Sequence, residues 1–297
     1  MPKRIITNCM VGADPEFFCQ HEKYGIVSVV DKIGGKKDAP LKLGDKPGFY
    51  VQEDNIACEF NIPPTPLISE NDDEFPNEMF VQNIRHAIQQ IYENHLKKYD
   101  LKPIFQSSAI IAENQLHTEQ AQTFGCDPDY NAWTKKQNPK PKSKNTNLRT
   151  TALHFHLSYD NPDEETNCEL AKIFDNTAGL FSVLLDNDNQ RRKLYGKAGS
   201  IRHKKYGVEF RILGGNFLSA NYINQAFVLL NMAVILFNKG YRCNYRLVQE
   251  AIDSNNYELA RELLILLLGE NKFNKFMSLF EEISFNEENY ITETNNK

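Results

Sequence analysis

The chain has 297 residues, of which 41% are hydrophobic, so it can bury the core of one large domain, with or without an extension. Its net charge of −5 argues against nucleic acid as a partner. The chain starts without the apolar core of a signal peptide, and no apolar run is long enough to cross a membrane, so we predict a cytoplasmic protein. The 6 cysteines form no Cys-x-x-Cys pair, and we predict that they are reduced thiols.

The first half of the chain contains strand patterns, one helix pattern and one long loop. Short alternating segments broken by glycine and proline predict strands and turns over residues 24–62. Residues 77–98 carry one apolar stripe at helical spacing and predict a helix. Residues 116–150 lack such a pattern, and their middle, NPKPKSKNTN, is basic and contains proline. A loop of this length in a compact domain is typical of a lid, a binding loop or disorder, and we treat 116–150 as a candidate lid.

The second half is rich in helix patterns. Helices are predicted over 167–186, 219–239 and 245–283. The very apolar helix over 219–239 fits either a core or an oligomer interface, so the oligomeric state is left open. We divide the chain into one domain over residues 1–240 and a helical C-terminal extension over 241–297 that packs on the same domain.

The strand patterns decide the fold class. Buried parallel strands are apolar on both faces, whereas these strands alternate between apolar and polar residues. We therefore predict an α+β fold with a mainly antiparallel sheet, helices packed on one face and an open polar face.

Four strand segments repeat one design, in which the polar face carries acids, histidines or arginine. A single such residue is best read as solvated, but Asp and Glu are poor strand formers, and the set as a whole points to a site. If the carboxylates converge, each pair about 4 Å apart costs roughly 4 kcal/mol at an effective dielectric near 20, so a cation must offset them. Oxygen-rich ligands favour Mg²⁺ or Mn²⁺ over zinc. The polar-face residues are Asp14, Glu16, Glu53, Glu59, His154, His156, Ser158, Glu209 and Arg211.

Cationic residues near this face point to phosphate. A divalent ion together with guanidinium groups is a common way to hold a transferring phosphoryl group. The segment LYGKAGSIRHKKYG contains Lys197 and Arg202 and precedes the Glu-x-Arg strand, which makes it a candidate phosphate clamp. The chain has no Walker A motif, and no GxGxxG motif follows a strand, which argues against P-loop and Rossmann binding.

In these motifs the chain resembles the phage-type COOH–NH2 ligases, type 2, of the glutamine synthetase-like carboxylate–amine ligase superfamily. Each segment alone is common, but their combination in this order is specific, and it spans about residues 10–220. The segments are GADPEFF (12–18), the strand from Glu53 to Asn61 with the IPP after it, FGCDPDYNAW (124–133), LRTTALHFHLS (148–158) and YGKAGSIRHKKYGVEFRIL (195–213).

The resemblance implies a curved, mainly antiparallel sheet that holds divalent ions and ATP, so that residues 1–240 form a glutamine synthetase-like catalytic domain. Asp14 stands where the superfamily often has glutamate, and its shorter arm leaves it outside the expected ligand set. The implied metal ligands are Glu16, Glu53, Glu59, His154 and Glu209. The implied nucleotide and phosphate contacts are His156, Ser158, Arg202 and Arg211, beside the clamp residue Lys197.

The resemblance also implies a reaction. ATP phosphorylates a small-molecule or peptide carboxylate, and an amine then attacks the acyl phosphate to form an amide, with Arg211, Arg202 and Glu209 as the catalytic residues and Mg²⁺ or Mn²⁺ as the ion. A phage-encoded enzyme of this kind would act in the host cytoplasm. Two alternatives stay open: a metal-dependent phosphotransferase of the guanidino-kinase type, and a nucleotide-binding module without turnover.

Overall fold

The computed structural model describes residues 4–67, 78–122, 129–139, 147–186 and 189–281, and all structural statements below concern these residues. Thirteen strands lie in this part of the chain. They are β1 (Met10–His21), β2 (Gly25–Val27), β3 (Leu41–Lys42), β4 (Tyr50–Asp54), β5 (Ala57–Pro66), β6 (Leu101–Ile104), β7 (Ser108–Ile110), β8 (Tyr130–Asn131), β9 (Lys136–Gln137), β10 (Leu148–Thr150), β11 (Ala152–Ser158), β12 (Ser200–Lys204) and β13 (Gly207–Gly214).

Eleven of these strands form one open sheet in the order β3-β4-β5-β1-β11-β13-β12-β8-β9, with β2 and β6 paired to β1, and β7 and β10 form a separate pair. All the strand pairs are antiparallel. The long strand β1 lies at the centre: its first part pairs with β5 and β11, and its last part with β2 and β6. The predicted α+β class with a mainly antiparallel sheet is confirmed.

The described residues also form nine α-helices. They are α1 (Glu78–Ile91), α2 (Glu119–Gln122), α3 (Glu164–Phe174), α4 (Leu180–Leu185), α5 (Asn189–Leu194), α6 (Ala220–Asn238), α7 (Arg246–Asp253), α8 (Tyr257–Leu268) and α9 (Glu270–Glu281). A π-helical segment (Asp175–Gly179) joins α3 to α4, a second one (Tyr92–Leu96) extends α1 into a 3-10 turn (Lys97–Tyr99), and two more 3-10 turns cover Glu113–Gln115 and Gly215–Leu218.

All four predicted helical ranges contain helices, with one shifted start, whereas the short helices α2 and α5 lie outside them. The helix predicted from residue 167 begins at Glu164. Asp163 caps it, since its carboxylate accepts a hydrogen bond from the Thr166 backbone N–H at 2.9 Å. The predicted end residues beyond 281 lie outside the described part of the chain.

The helices cover the apolar face of the sheet and leave the polar face to the site. Phe80 of α1 and Phe174 of α3 lie 5.6 and 6.2 Å, between ring centroids, from Phe155 of β11, and Phe174 lies 4.8 Å from Phe210 of β13. Burying each of these rings contributes roughly 1.5–3 kcal/mol, so this face is strongly fixed toward the helices. Because side chains alternate along a strand, the neighbours of Phe155 and Phe210 must lie on the other face.

The C-terminal helices join this same core. Phe181 of α4 contacts three rings of α9, with centroid distances of 6.3 Å to Phe273, 4.7 Å to Phe276 and 6.0 Å to Phe280. Helix α8 also packs on α4. No described helix is both long enough and apolar enough to cross a membrane.

The candidate lid segment, 116–150, contains short elements rather than loop alone. The structure places α2, the β8–β9 hairpin and β10 in it, while residues 123–128 and 140–146 lie outside the described part. The hairpin is anchored, because Trp133 Nε1 donates to the buried carboxylate of Asp175 at 2.5 Å and Ala132 N donates to the Gly199 carbonyl at 2.9 Å.

Candidate functional site

The register of the central strands brings polar residues of five strands, β1, β5, β11, β12 and β13, into one row. Residues directly opposite one another in an antiparallel pair lie on the same face, with their side chains in reach of each other. Residues that are far apart in the sequence, from Asp14 to Glu209, therefore meet on the open face. The opposed pairs are Glu16 with Glu59, Asp14 with His154, His156 with Glu209, and Arg202 with Glu209.

One group in this row, the histidine cluster, consists of Asp14, His154 and Glu209, each offering a ligand atom within 4.8 Å of the others. Burial and the nearby Arg211 charge lower the pKa of His154 to about 4, so its imidazole is neutral at pH 7 and can ligate a metal. Burial alone would raise the pKa of Asp14, but the charges of His156 and His154 hold it well below its usual range. Asp14 thus stays ionised and, contrary to the sequence expectation, its arm reaches this cluster.

A second group, the carboxylate cluster, consists of Glu16, Asp54 and Glu59, again with ligand atoms within 4.8 Å of one another. Burial and the charges of Asp54 and Glu59 raise the pKa of Glu16 well above its usual range. Burial and the charges of Asp14 and Asp54 raise the pKa of Glu59 to about 8. Three acids that oppose one another's ionisation make this cluster a candidate cation site.

The structure does not bring Glu53, one of the predicted ligands, into either group. Its carboxylate accepts hydrogen bonds from the backbone N–H groups of Ile33 at 3.0 Å and Gly34 at 2.8 Å. Glu53 shares its face of β4 with the core residue Val51, so its neighbour Asp54 is the one that reaches the carboxylate cluster. The sequence contained this signal, because an apolar residue two positions earlier marks the face that Glu53 occupies.

Glu209, fully buried, is surrounded by cations. Its Oε1 accepts from Nη1 of Arg211 and lies 3.4 Å from Nη1 of Arg202, while its Oε2 lies 2.7 Å from Nζ of Lys204. Burial alone would raise the pKa of Glu209, but the Arg211 charge, helped by the two histidines, lowers it to about 2. On the other side of Arg211, its Nε lies 2.8 Å from Asp129 Oδ1.

The remaining predicted residues are placed at different distances from the row. His156 lies in it, with Nε2 at 2.9 Å from Asp14 Oδ1 and Nδ1 hydrogen-bonded to the Tyr206 hydroxyl at 2.5 Å. Ser158 lies further along β11 and donates to the Met10 carbonyl at 3.5 Å. Lys197 is exposed and lies near the Asp253 carboxylate of α7.

The loop that carries Lys197 is fixed by hydrogen bonds to helices. Ala198 N donates to the Asp253 carboxylate at 2.9 Å, and Gly199 N donates to that of Asp175 at 2.7 Å. Gly199 has a positive φ of 73°, and a Cβ there would lie 2.7 Å from the Trp133 ring and 2.9 Å from the Ala132 nitrogen. The loop is therefore packed against the β8–β9 hairpin.

A cleft opens beside the two clusters. It extends along β11 past His154 toward Ala152, away from His156 and Ser158, and Phe18 and Ile56 give it an apolar wall. Two of its arginines support the main chain: Arg149 donates to the Ala121 carbonyl, and Arg191 to the carbonyls of Arg211 and Ile212. The charged lining residues include Glu16, Asp54, Asp129, Arg149, Arg191 and Arg211.

Sequence reasoning missed four residues that the structure adds to this region. The short side chain of Asp14 argues against a ligand at that position, and the strand pattern that selects Glu53 leaves out its neighbour Asp54. Lys204 lies in a basic run, where the sequence does not distinguish it from Lys205. Asp129 lies in a segment with no recognisable periodicity, and no local pattern connects it to Arg211.

Comparison with known proteins agrees with the sequence motifs. Residues 150–283 match the family model described as "Phage phiEco32-like COOH.NH2 ligase-type 2", so the resemblance predicted from the motifs is confirmed over that part of the chain. A solved structure titled "Crystal structure of novel glutamine synthase homolog" aligns with 97% of this chain and 68% of its own chain, at 12% identity and a TM-score of 0.36. No curated protein matches the chain.

Proposed function

We propose that the protein is an ATP-dependent carboxylate–amine ligase that uses Mg²⁺, or Mn²⁺, and forms an amide bond through an acyl phosphate. The description of the matched family supports the ligase class. The observation that carries the finer proposal is the adjacency, on one sheet face, of two acid clusters and the cations around Glu209. Acids that demand a metal ion and cations that can take phosphate oxygens are the two parts that phosphoryl transfer needs.

The residues fit divalent ions. The carboxylate cluster offers oxygen ligands only, which Mg²⁺ prefers, and the histidine cluster adds one neutral imidazole, which Mn²⁺ accepts well. The raised pKa values of Glu16 and Glu59 indicate that the cations among the described residues, such as Arg211 and Lys37, do not fully offset the charges of these acids. When bound, such ions neutralise the phosphate charge and orient the γ-phosphoryl group.

The chain's own cations would stabilise the charge that develops during transfer. Arg211 and Arg202 are the proposed catalytic arginines, and Lys204 lies beside them on Glu209. His156 and Ser158 continue the same face of β11 and are the proposed nucleotide contacts, on the side away from the cleft. We assign the carboxylate substrate to the cleft, because the cleft opens beside the two clusters on the side opposite His156 and Ser158.

The proposed reaction has two balanced steps. A carboxylate oxygen of the acid bonds to the γ-phosphorus of ATP as the bond from that phosphorus to ADP breaks, which gives an acyl phosphate. The amine nitrogen then bonds to the carbonyl carbon, the bond to phosphate breaks, and the amine releases a proton. We propose small-molecule or peptide acids and amines as substrates.

The test is a product assay. A library of acids and amines is incubated with ATP and Mg²⁺, and products are identified by mass spectrometry, with hydroxylamine added in parallel to trap an acyl phosphate as a hydroxamate. An amide and a trapped hydroxamate support the ligase. A phosphorylated guanidine or alcohol would instead indicate the phosphotransferase, and ATP binding without any product would indicate a binding module.

Arg211→Lys tests the role of the arginine. Lysine keeps the charge but loses the planar fork that can hold two phosphate oxygens. We expect ATP binding to weaken modestly and the rate to fall roughly a hundredfold to a thousandfold, as when one transition-state hydrogen-bond donor is lost. A variant that unfolds at a much lower temperature but turns over normally per folded molecule would make Arg211 a purely structural residue.

A further inference from the structure

We infer that Asp129 is a positioning residue for the proposed phosphoryl transfer, and that it acts by holding the guanidinium group of Arg211. The inference rests on the proposed function. Asp129 Oδ1 lies 2.8 Å from Arg211 Nε, and the two residues are 7% and 3% exposed. A charge pair this buried is little screened by water or salt, so it constrains its partner strongly.

The geometry divides the guanidinium group of Arg211 between two acids. Nη1 binds Glu209 and Nε forms an ion pair with Asp129, so two nitrogens of one planar group have different partners. Because the three nitrogens of the group lie in one plane, fixing Nε also fixes the direction of the terminal fork.

The two acids differ in what else they can bind. Glu209 belongs to the histidine cluster, whereas Asp129 belongs to neither described group of candidate metal ligands. A metal ion bound by Glu209 would compete for Oε1, the oxygen that holds Nη1. Asp129 would then remain as the carboxylate that keeps Arg211 in place.

The main chain around Asp129 is itself well held. Its carbonyl accepts a hydrogen bond from Asn138 N at 2.7 Å, which closes the base of the β8–β9 hairpin. Two residues further on, Asn131 Nδ2 donates to the Ala198 carbonyl at 3.2 Å. At the tip of the hairpin, Trp133 is bonded to Asp175. Asp129 therefore projects from a rigid base, as a positioning residue should.

The test uses Asp129→Asn, which keeps the shape but removes the charge, and compares two ligands by calorimetry. The first is Mg²⁺ with ATP, a ground-state ligand. The second is Mg²⁺ with ADP and aluminium fluoride, which mimics the phosphoryl group in transfer and needs no acid substrate. We expect the affinity for the second to fall roughly tenfold to a hundredfold, and that for ATP to change less than about threefold.

A double-mutant cycle separates positioning from a direct role. If Asp129 acts through Arg211, adding Asp129→Asn to Arg211→Lys should cost less than about a further threefold in affinity for the aluminium fluoride complex. Asp186→Asn is the matched control, because Asp186 is equally buried at 7% exposure and accepts from Ser107 Oγ at 2.8 Å, outside both clusters. We expect this control to leave the ratio of the two affinities unchanged.

The outcomes are distinguishable. Losses that add independently in the cycle, or an Asp129→Asn variant that behaves like Asp186→Asn, would overturn this inference alone. A wild-type protein that binds no ATP with Mg²⁺ would overturn the proposed function and the inference together. If Asp129→Asn does not fold, Asp129→Glu moves the carboxylate by one methylene, and undiminished affinity for the aluminium fluoride complex in that variant would also refute the inference.

Discussion

Replacing Glu209 by glutamine should destabilise the metal-free protein, although the substitution removes an acid from an acid-rich site. The carboxylate is fully buried and is surrounded by Arg211, Lys204 and Arg202. From the sequence alone, Glu209 belongs to a set of mutually repelling acids, and removing one charge from such a set should reduce the repulsion and stabilise the protein. The structure gives the opposite expectation for this residue, because a neutral amide would leave three cations without their shared anion.

The magnitude follows from the pKa. The Arg211 charge and the histidines outweigh burial and lower the pKa of Glu209 from 4.5 to about 2, and at ~1.36 kcal/mol per pKa unit this is about 3 kcal/mol of folding stability. Because the pKa in the folded state is depressed, this stability is fully present above pH 4.5 and is lost as the pH falls toward 2. At pH 7 the free energy of unfolding of Glu209→Gln should therefore be about 3 kcal/mol lower than that of wild type.

Glu59→Gln is the matched comparison, since it makes the same chemical change in the other cluster. Burial and the charges of Asp14 and Asp54 raise the pKa of Glu59 to about 8, so its ionised form opposes folding at neutral pH. We expect the metal-free Glu59→Gln protein to be at least as stable as wild type at pH 7.

The assay is urea unfolding in EDTA at pH 7 and at pH 5, followed by circular dichroism, together with calorimetric titration of Mn²⁺. Both variants should bind Mn²⁺ more weakly. In the metal-free protein, Glu209→Gln should lower the free energy of unfolding, whereas Glu59→Gln should raise it or leave it unchanged. Equal destabilisation by the two substitutions, or a Glu209→Gln protein as stable as wild type, would refute this account of the charges.

Two further predictions concern the same face. Since a bound ion needs the ionised form of Glu59, Mn²⁺ affinity should rise between pH 6 and the pKa of about 8, and Glu59→Gln should flatten that dependence in calorimetry. Lys204→Met should strengthen Mn²⁺ binding in the absence of nucleotide by roughly tenfold, because the ammonium group of Lys204 competes with the ion for Glu209. The control is Lys205→Met, which removes the same charge from an exposed neighbour and should not change Mn²⁺ affinity. Equal effects of the two substitutions would contradict direct competition.

Much of the site follows from local chemistry that the sequence alone contains. Alternation in β11 and β13 puts His154 with His156, and Glu209 with Arg211, on the face opposite the phenylalanines, and hydrophobic burial fixes which face is which. The residue types then indicate the chemistry, because acids, imidazole and guanidinium groups on one open face favour metal ions and phosphate.

The tertiary structure decided the partners, because these depend on how distant segments align. A shift of one residue along a strand exchanges its faces, and that difference separates the predicted ligand Glu53 from Asp54, which reaches the cluster. Asp129 meets Arg211 only after β8 pairs with β12, a contact between segments about seventy residues apart that leaves no local pattern. The pairing of β12 with β13 places cations around Glu209, and the pairing of β5 with β1 and β4 places acids around Glu59. Two glutamates that look alike in the sequence thereby acquire pKa values of about 2 and about 8.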